Sequence, residues 1–411
     1  MKNISADWIK HILSFSRPSG TSRGILHSKP TWYILLRDRF SGQLQGIGEC
    51  SPIEGLSIDN LDEIEDKLTE VCADISAGTF SFSEDLNNFP SIEFGVEIAL
   101  KDLEHSEPGI LYPSSFTEGD RGIYINGLIW MGDMDFMRSQ IQEKLANNCS
   151  CLKLKIGALD FAQECDLIAD LRSHFNSDLL EIRVDANGAF AADEAPEKLN
   201  ILAQYDLHSI EQPIKPKQWQ VMAELCKKSP IPIALDEELI GILDKNQKED
   251  LLSSINPQYI ILKPSLLGGF SKAQEWIDLA EQKSIAWWIT SALESNIGLN
   301  AISQWTASLN TTLPQGLGTG TIYSNNISSP LKLKGNKLYY DKTLDWGYSA
   351  FFDQANYTKS SLQTHLFLGR QGAGRRAHGR KNDKGFTIIG FRMTYYSLLI
   401  IYYFLKGILN S

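Results

Sequence analysis

Three carboxylates, each closing an apolar stretch, are the residues of this sequence best suited to chemistry. Asp185, Glu211 and Asp236 end such stretches at successive separations of 26 and 25 residues. A single Asp in this setting is more often the cap of the following helix, but three in succession favour one shared site. Converging carboxylates repel one another unless a cation lies between them, and an all-oxygen set without His or Cys suits Mg²⁺ or Mn²⁺. We therefore predict that these three side chains bind a divalent metal.

Three lysines accompany the predicted metal ligands. Lys153 and Lys155 alternate with apolar residues in Cys151–Gly157 and so share one face of an extended strand, while Lys263 closes a later apolar stretch. For an isolated Lys-x-Lys, an edge strand with two solvated lysines would be the better interpretation, but the carboxylates downstream reverse that preference. A lysine near a divalent cation and a second ammonium has a lowered pKa and can act as a general base. The set therefore predicts proton abstraction next to a substrate carboxylate.

Alternating strand and helix patterns after about residue 123 predict how these side chains are positioned. Eight apolar stretches alternate with helical segments, which is typical of an α/β fold with a parallel (β/α) barrel. In such a barrel the carboxyl ends of all strands face one cavity. A doubly wound open sheet is the alternative, and the lack of a dinucleotide-binding fingerprint after the first strand weakens it. The predicted strands are Ile123–Trp130, Cys151–Ile156, Glu181–Val184, Ser209–Glu211, Ile233–Asp236, Tyr259–Lys263, Ala286–Thr290 and Leu313–Gly316.

The chain outside the barrel predicts a smaller α+β domain. Residues 1–55 have the pattern of a β-meander with loops at 17–24 and 48–57, and residues 60–76 and 92–104 have helical periodicity. A short β-segment near the end of the barrel could return to pair with the meander. We expect three regions: a capping domain, a catalytic barrel and a poorly ordered basic and apolar extension, with bounds 1–120 (joined by 331–346), 121–330 and 347–411.

Charge and cysteine usage limit the partners and the compartment. The net charge of −11 combines +7 in residues 347–411, from nine basic and two acidic residues, with −18 in residues 1–346. An acidic body argues against nucleic acid or an anionic membrane as a partner. The small-molecule carboxylate expected from the lysines and metal ligands must be held by them against this overall negative charge. The six cysteines form no C-x-x-C pair, and residues 1–18 lack a signal-peptide pattern. We therefore expect a cytoplasmic protein with reduced thiols; its oligomeric state does not follow from the sequence.

The C-terminal extension carries an apolar run, Tyr395–Leu405, after a basic, glycine-rich stretch. Eleven residues are too few to span a bilayer, which requires about 20. A weak tail anchor and a polybasic surface segment stay open as functional interpretations. We favour a poorly ordered extension without a role in the chemistry.

The ordered set of lysines and carboxylates resembles the enolase superfamily, in its muconate-cycloisomerase-like branch, over residues 1–346. Further segments resemble the members of that branch that dehydrate 2-succinyl-6-hydroxy-2,4-cyclohexadiene-1-carboxylate in menaquinone biosynthesis. These segments are Arg17–Gly24, Ile125–Trp130, Ser291–Gly298 and Gly316–Gly320. The resemblance implies a (β/α) barrel under a capping domain, Mg²⁺ as the cofactor and a hydro-lyase activity.

The resemblance also implies a role for individual residues. Lys155 would take the α-proton and then protonate the departing hydroxyl on the same face, while Lys263 would stabilise the enediolate from the other side. Lys153 would help to lower the pKa of Lys155. Magnesium would be held by Asp185, Glu211 and Asp236, and the substrate would be contacted or covered by Arg23, Gly24, Leu56, Asn187 and Ser291.

Other reactions use the same acid and base groups. A dipeptide epimerase of this superfamily would carry Asp-x-Asp after the eighth strand, but the segment Gly316–Thr321 contains no carboxylate. An N-succinylamino-acid racemase stays open, because its substrate also has a carboxylate and a succinyl arm. A binding protein that has lost activity is disfavoured by the presence of both catalytic lysines and all three metal ligands.

Overall fold

The N-terminal part of the chain is an antiparallel three-stranded sheet, as predicted. The computed structural model describes residues 3–21, 24–105, 107–309, 311–348 and 351–352. The sheet has the order β1 (Ile4–Thr21), β2 (Gly24–Asp38) and β3 (Leu44–Cys50). The predicted loop at 17–24 is wrong for the described residues: Arg17–Thr21 belong to β1, and Thr21 pairs with Gly24 at the start of β2. A register shift between Ser14 and Ser19 interrupts the ladder and lets the Pro-containing segment continue the hairpin.

Two helices cover one face of this sheet, α1 (Ile64–Ala77) and α2 (Pro90–Leu103). Helix α2 lies so close to β3 that a Cβ atom at Gly48 would be 1.8 Å from the carbonyl oxygen of Gly95. Glycine at both positions therefore permits the contact between the two backbones. The side chains buried between the helices and the sheet include Trp32, Ile34, Leu36, Ile64, Leu68, Val71, Ile92, Val96 and Ala99.

Parallel strands form the larger part of the molecule, which confirms the predicted (β/α) barrel. The sheet has seven strands, which lie side by side in the order in which they follow one another along the chain. It is closed by Gln315 and Gly316, which bridge to Ile125 on one side and to Thr290 on the other. In place of the predicted strand Leu313–Gly316, only these single bridges form among the described residues. The predicted strand Ile123–Trp130 is divided into two shorter strands. The strands after β3 are β4 (Ile123–Tyr124), β5 (Gly127–Ile129), β6 (Cys151–Lys155), β7 (Glu181–Asp185), β8 (Ser209–Glu211), β9 (Ile233–Leu235), β10 (Tyr259–Leu262) and β11 (Ala286–Ile289).

Helices connect the parallel strands, and the helix Gly269–Gln282 contacts α2 of the N-terminal domain. Phe94 of α2 and Phe270 of this helix have ring centroids 5.3 Å apart. This contact fixes the N-terminal domain on the barrel. The helices are α3 (Met134–Ala146), α4 (Phe161–His174), α5 (Ala195–Leu202), α6 (Trp219–Lys228), α7 (Lys245–Ile255), α8 (Pro264–Leu267), α9 (Gly269–Gln282) and α10 (Asn296–Ser308).

The last described strands differ in their pairing from the sequence interpretation. Strands β12 (Leu331–Lys334) and β13 (Lys337–Tyr340) form a hairpin that pairs with β4, not with the N-terminal meander. The packed chain also extends past residue 346, because Phe352 is buried against Tyr33. The expected start of the extension at 347 is therefore too early.

The remainder of the chain, 353–411, lies outside the described residues, and with it the basic stretch and the apolar run Tyr395–Leu405. Among the residues that are described, helices are too short or too polar to cross a membrane. All six cysteines are buried.

Candidate active site

The six predicted catalytic and metal-binding residues meet at the carboxyl ends of neighbouring strands. Lys155 ends β6 and is in register with Asp185 at the end of β7, which is in turn in register with Glu211 at the end of β8. Asp236 directly follows β9, and Lys263 directly follows β10. Parallel strands in adjacent positions present their last residues on the same edge of the sheet. The structure therefore brings together every residue that the sequence assigned to the metal and the acid–base chemistry.

Each lysine is paired with one or two of the carboxylates. The Nζ atom of Lys153 lies 3.1 Å from Asp185 Oδ2 and 2.5 Å from Glu211 Oε2. The Nζ atom of Lys155 lies 3.2 Å from the same oxygen of Asp185 and donates a 2.7 Å hydrogen bond to Asn187 Oδ1. Lys263 donates to Asp236. All these side chains are buried or nearly so, and buried charges require such partners.

Burial and mutual attraction shift the pKa values of this cluster. Burial alone would lower the pKa of Lys153, but Asp185, Glu211 and Asp236 together hold it above its ordinary value. Burial would raise the pKa of Asp185, and the lysines around it hold it below its usual range instead. For Glu211, burial and the negative charge of Asp185 raise the pKa well above normal. The cluster therefore contains one strongly ionised carboxylate beside one that is harder to ionise.

The sequence predicted a lowered lysine pKa on the premise of a cation among the carboxylates. Here the carboxylates are paired with the lysines themselves. For Lys263, as for Lys153, burial favours a lower pKa, but the attraction of Asp236, Glu211 and Glu237 outweighs it and raises the pKa. The upward direction of the shift follows from this pairing.

The three carboxylates of the cluster are of the donor type that a divalent metal prefers. Within the described residues, His, Cys, Asp and Glu side chains form no group of three at metal-ligand spacing; here Lys153 contacts both Asp185 and Glu211. However, Glu211 Oε1 is buried and has no hydrogen-bond partner among the described residues. A buried carboxylate oxygen without a partner, beside two further carboxylates on adjacent strands, suits a hard cation such as Mg²⁺. The oxygen donors of Asp185, Glu211 and Asp236 are therefore suitable ligands for Mg²⁺.

A cavity of about 400 Å³ opens above the cluster. Lys153, Lys155, Asp185 and Lys263 line it, whereas Glu211 and Asp236 are buried in contact with the lysines. Its walls come from both domains: from the capping domain the loop 53–56 and Leu26, and from the barrel several strand ends. The barrel residues on the walls are Asn126, Leu128, Trp130, Asn187, Glu237, Thr290, Ser291, Ala292, Leu293, Gly316, Gly318 and Thr319.

The predicted substrate residues are only partly found at this cavity. Leu56, Asn187 and Ser291 line it. Arg23 lies outside the described residues. Gly24 begins β2 at the end of the hairpin.

Several cavity residues were not assigned a role from the sequence. One of them is Glu237, which directly follows the metal-ligand candidate Asp236 and accepts a 3.0 Å hydrogen bond from Asn187 Nδ2. Trp130 and Asn126 lie in a segment that contributed to the family resemblance, but no local pattern identified them as wall residues. Only closure of the barrel places the ends of β5 and the segment after residue 315 beside the lysines.

Residues 137–334 match the family model described as "Enolase C-terminal domain-like". A curated o-succinylbenzoate synthase from Desulfotalea psychrophila is 47% identical over 370 residues, which cover 82% of this chain and 99% of the relative. The chain belongs to the o-succinylbenzoate synthase family of the enolase superfamily.

Solved structures agree with this assignment. The crystal structure of MenC from Desulfotalea psychrophila LSv54 has a TM-score of 0.73 and 44% sequence identity, covering 82% of this chain and 99% of that one. A dipeptide epimerase from Enterococcus faecalis, complexed with Mg and the dipeptide L-Leu-L-Tyr, has a TM-score of 0.68 at 19% identity. It covers 83% of this chain and 97% of its own, and at this identity the likeness shows a shared fold alone.

Proposed function

We propose that this chain is a hydro-lyase that converts 2-succinyl-6-hydroxy-2,4-cyclohexadiene-1-carboxylate to 2-succinylbenzoate, the o-succinylbenzoate synthase reaction of menaquinone biosynthesis. The observation that carries the proposal is the placement of Lys155 and Lys263 on one cavity from strands β6 and β10. Four steps separate these strands in the sheet order, so the two ammonium groups approach the cavity from different sides. That arrangement suits a substrate carbon held between an acid–base group and a charge-stabilising group.

Lys155 is the base of the proposed reaction. Its neutral amine takes the proton from the carbon that bears the ring carboxylate, and the electron pair of that C–H bond moves toward the carboxylate. The same ammonium then gives its proton to the hydroxyl on the neighbouring carbon, so that water leaves, a C=C bond forms and the ring becomes aromatic. One group serves both steps because the hydrogen and the hydroxyl leave from the same face. The hydrogen bond to Asn187 and the contact with Asp185 hold its Nζ atom at the cavity wall.

Lys263 and Lys153 have electrostatic roles in the proposed reaction. Lys263 lies on the other side of the cavity and stabilises the negative charge that develops on the substrate carboxylate when the proton leaves. Lys153 is buried between Asp185 and Glu211, where its ammonium contacts the same oxygen of Asp185 as Lys155 does.

Asp185, Glu211 and Asp236 would hold Mg²⁺, with Mn²⁺ as a possible substitute. When bound, a divalent cation supplies Lewis-acid stabilisation of the substrate carboxylate. The buried Oε1 atom of Glu211, which has no hydrogen-bond partner in the described part of the chain, supports this assignment. Leu56, Asn187 and Ser291 would contact the substrate, since all three line the cavity.

We also infer that the protein acts in the cytoplasm on a small-molecule carboxylate, without nucleic acid as a partner. The six cysteines, which are buried and show no C-x-x-C spacing, are typical of a protein of a reducing compartment.

A direct assay tests the function. Purified protein is incubated with the cyclohexadiene carboxylate and, separately, with N-succinylamino acids, in the presence of Mg²⁺ or after exhaustive chelation. We expect Mg²⁺-dependent formation of 2-succinylbenzoate as the faster reaction. Turnover of N-succinylamino acids alone would instead support the racemase, and full dehydration after chelation would refute the metal assignment.

A further inference from the structure

A buried glutamate of the capping domain contacts the beginning of a barrel helix. Glu49 lies at the end of β3 with its side chain inaccessible to solvent. Its Oε1 atom accepts hydrogen bonds from the Ser295 backbone N–H at 2.7 Å and from the Thr31 hydroxyl at 3.1 Å. Its Oε2 atom accepts from the Ser295 hydroxyl at 2.6 Å and from the Gly298 N–H at 2.8 Å. One carboxylate thus joins the capping sheet to the first turn of α10.

The location suits a carboxylate for two physical reasons. The first N–H groups of a helix have no partner within the helix, and the positive end of the helix dipole attracts an anion. Ser295 is the N-cap of α10 and accepts from the Ile297 N–H, while Glu49 binds its hydroxyl from the opposite domain. The contact therefore depends on the relative position of the two domains.

The residues just before Ser295 form a wall of the candidate active site. Ser291, Ala292 and Leu293 line the cavity. Leu293 has a φ angle of 63°, in the left-handed region that a bulky side chain adopts only at an energetic cost. Hydrogen bonds must therefore maintain this conformation, and one of them runs from the Tyr323 hydroxyl to the Leu293 carbonyl at 2.7 Å.

A second buried carboxylate, Glu294, closes this wall segment. It accepts hydrogen bonds from the Ser291 hydroxyl at 2.7 Å and from the Ala292 N–H at 2.9 Å. It also accepts from the Ser265 hydroxyl, two residues after Lys263. The segment is thereby fixed at its beginning by Glu294 and at its end, Ser295, by Glu49.

From these contacts we infer that Glu49 is a positioning residue for the proposed dehydration: it holds the cavity wall Ser291–Leu293 in its strained conformation through Ser295. The inference rests on the proposed function for its readout. Lys155 and Lys263 have their own carboxylate partners, so loss of the Glu49 contact should disturb the wall and leave the acid–base groups in place. A disturbed wall weakens substrate binding more than it slows the chemical steps.

The test is Glu49→Gln in the full chain, loaded with Mg²⁺. The amide keeps the size of the side chain but replaces one acceptor oxygen with an NH₂ group that faces N–H donors. We expect the KM for dehydration and the Kd for 2-succinylbenzoate to rise about tenfold, as for the loss of one charge-assisted hydrogen bond, with kcat changed less than about threefold. Hydrogen exchange at the amides of Ser295 and Gly298 should become faster, and Glu49→Asp should restore part of the affinity.

Asp102→Asn is the matched control. Asp102 is a buried carboxylate of the same domain that accepts the N–H groups of Ile47, at 3.0 Å, and Gly109, at 2.7 Å. Its replacement should lower the melting temperature and leave KM within about twofold, since its bonds do not reach the cavity wall. An equal change of KM in both variants, or an unchanged KM and Kd in Glu49→Gln, would overturn the positioning role.

Two further outcomes are distinguishable. If Glu49→Gln fails to fold, Ser295→Ala removes one of the same hydrogen bonds, and an unchanged KM and Kd in that variant would refute the inference. Failure of the wild-type enzyme to dehydrate the cyclohexadiene would refute the proposed function. Wild-type activity combined with an unaffected Glu49→Gln variant would refute only the role of Glu49.

Discussion

Replacement of Lys153 by Met removes the buried ammonium that contacts both Asp185, at 3.1 Å, and Glu211, at 2.5 Å. Methionine has a similar length, so the main change is the loss of charge. Removal of one partner from a buried ion pair destabilises a protein by about 3–5 kcal/mol, because the other charge is left uncompensated. In chelator, we therefore expect the free energy of unfolding of Lys153→Met to fall by about that amount, measured by urea denaturation followed by circular dichroism.

Magnesium should reverse part of this loss. Binding stabilises the folded state by about 2.7 kcal/mol when the free ion is at 100 times its Kd. A cation among the three carboxylates replaces the lost positive charge, so Mg²⁺ should stabilise Lys153→Met more than it stabilises the wild type. Lys248→Met is the matched control, because Lys248 is equally buried, pairs with Glu275 at 2.6 Å and lies on α7. It should lose stability without a change in the response to Mg²⁺.

Two results would refute this reasoning. If Lys153→Met were as stable as the wild type in chelator, the ion pairs of the cluster would not contribute as the distances suggest. If Mg²⁺ stabilised Lys153→Met and Lys248→Met by the same amount, the carboxylates around Lys153 would not be the metal ligands.

Three further predictions concern catalysis, pH and the C-terminus. Lys155→Ala and Lys263→Ala should each lower kcat by about 100- to 10,000-fold, the usual contribution of a general acid or base, while circular dichroism stays native; near-normal turnover would refute the two-lysine mechanism. Burial raises the pKa of Asp59 from 3.8 to about 6, so its contribution to stability is complete below pH 4 and is lost as the pH rises through 6. The free energy of unfolding of the wild type should thus fall by roughly 3 kcal/mol relative to that of Asp59→Asn between pH 4 and pH 6. If the free energies of unfolding of the two proteins changed in parallel with pH, the raised pKa of Asp59 would be contradicted. A chain ending at Ala355 should keep full activity. A chain ending at Trp346 lacks the buried Phe352, so its free energy of unfolding should be about 3–5 kcal/mol lower. Equal unfolding midpoints of the two chains would show that the packing of Phe352 does not contribute to stability.

Local patterns were sufficient for the elements that carry the chemistry. Apolar stretches that end in Asp185, Glu211 and Lys263 predict buried strands followed by polar side chains, and the carboxyl ends of parallel strands must lie on one edge of the sheet. The strand bounds therefore came within one residue for β6, β7, β8, β9, β10 and β11. The same reasoning failed at residues 17–24, where Gly, Pro and Ser predict a loop but pairing across the sheet extends the hairpin.

The sequence by itself determined which groups are available and the class of reaction they can perform, because charge, donor type and strand periodicity are local properties. Only the tertiary structure decided that Gln315 and Gly316 close the barrel and that β12 and β13 pair with β4. It alone paired Lys153 with two carboxylates and brought Glu49 to Ser295, 246 residues along the chain. The physical reason is that these contacts form only when separate elements pack against one another. The residue pattern within one segment does not indicate which other segment it will contact.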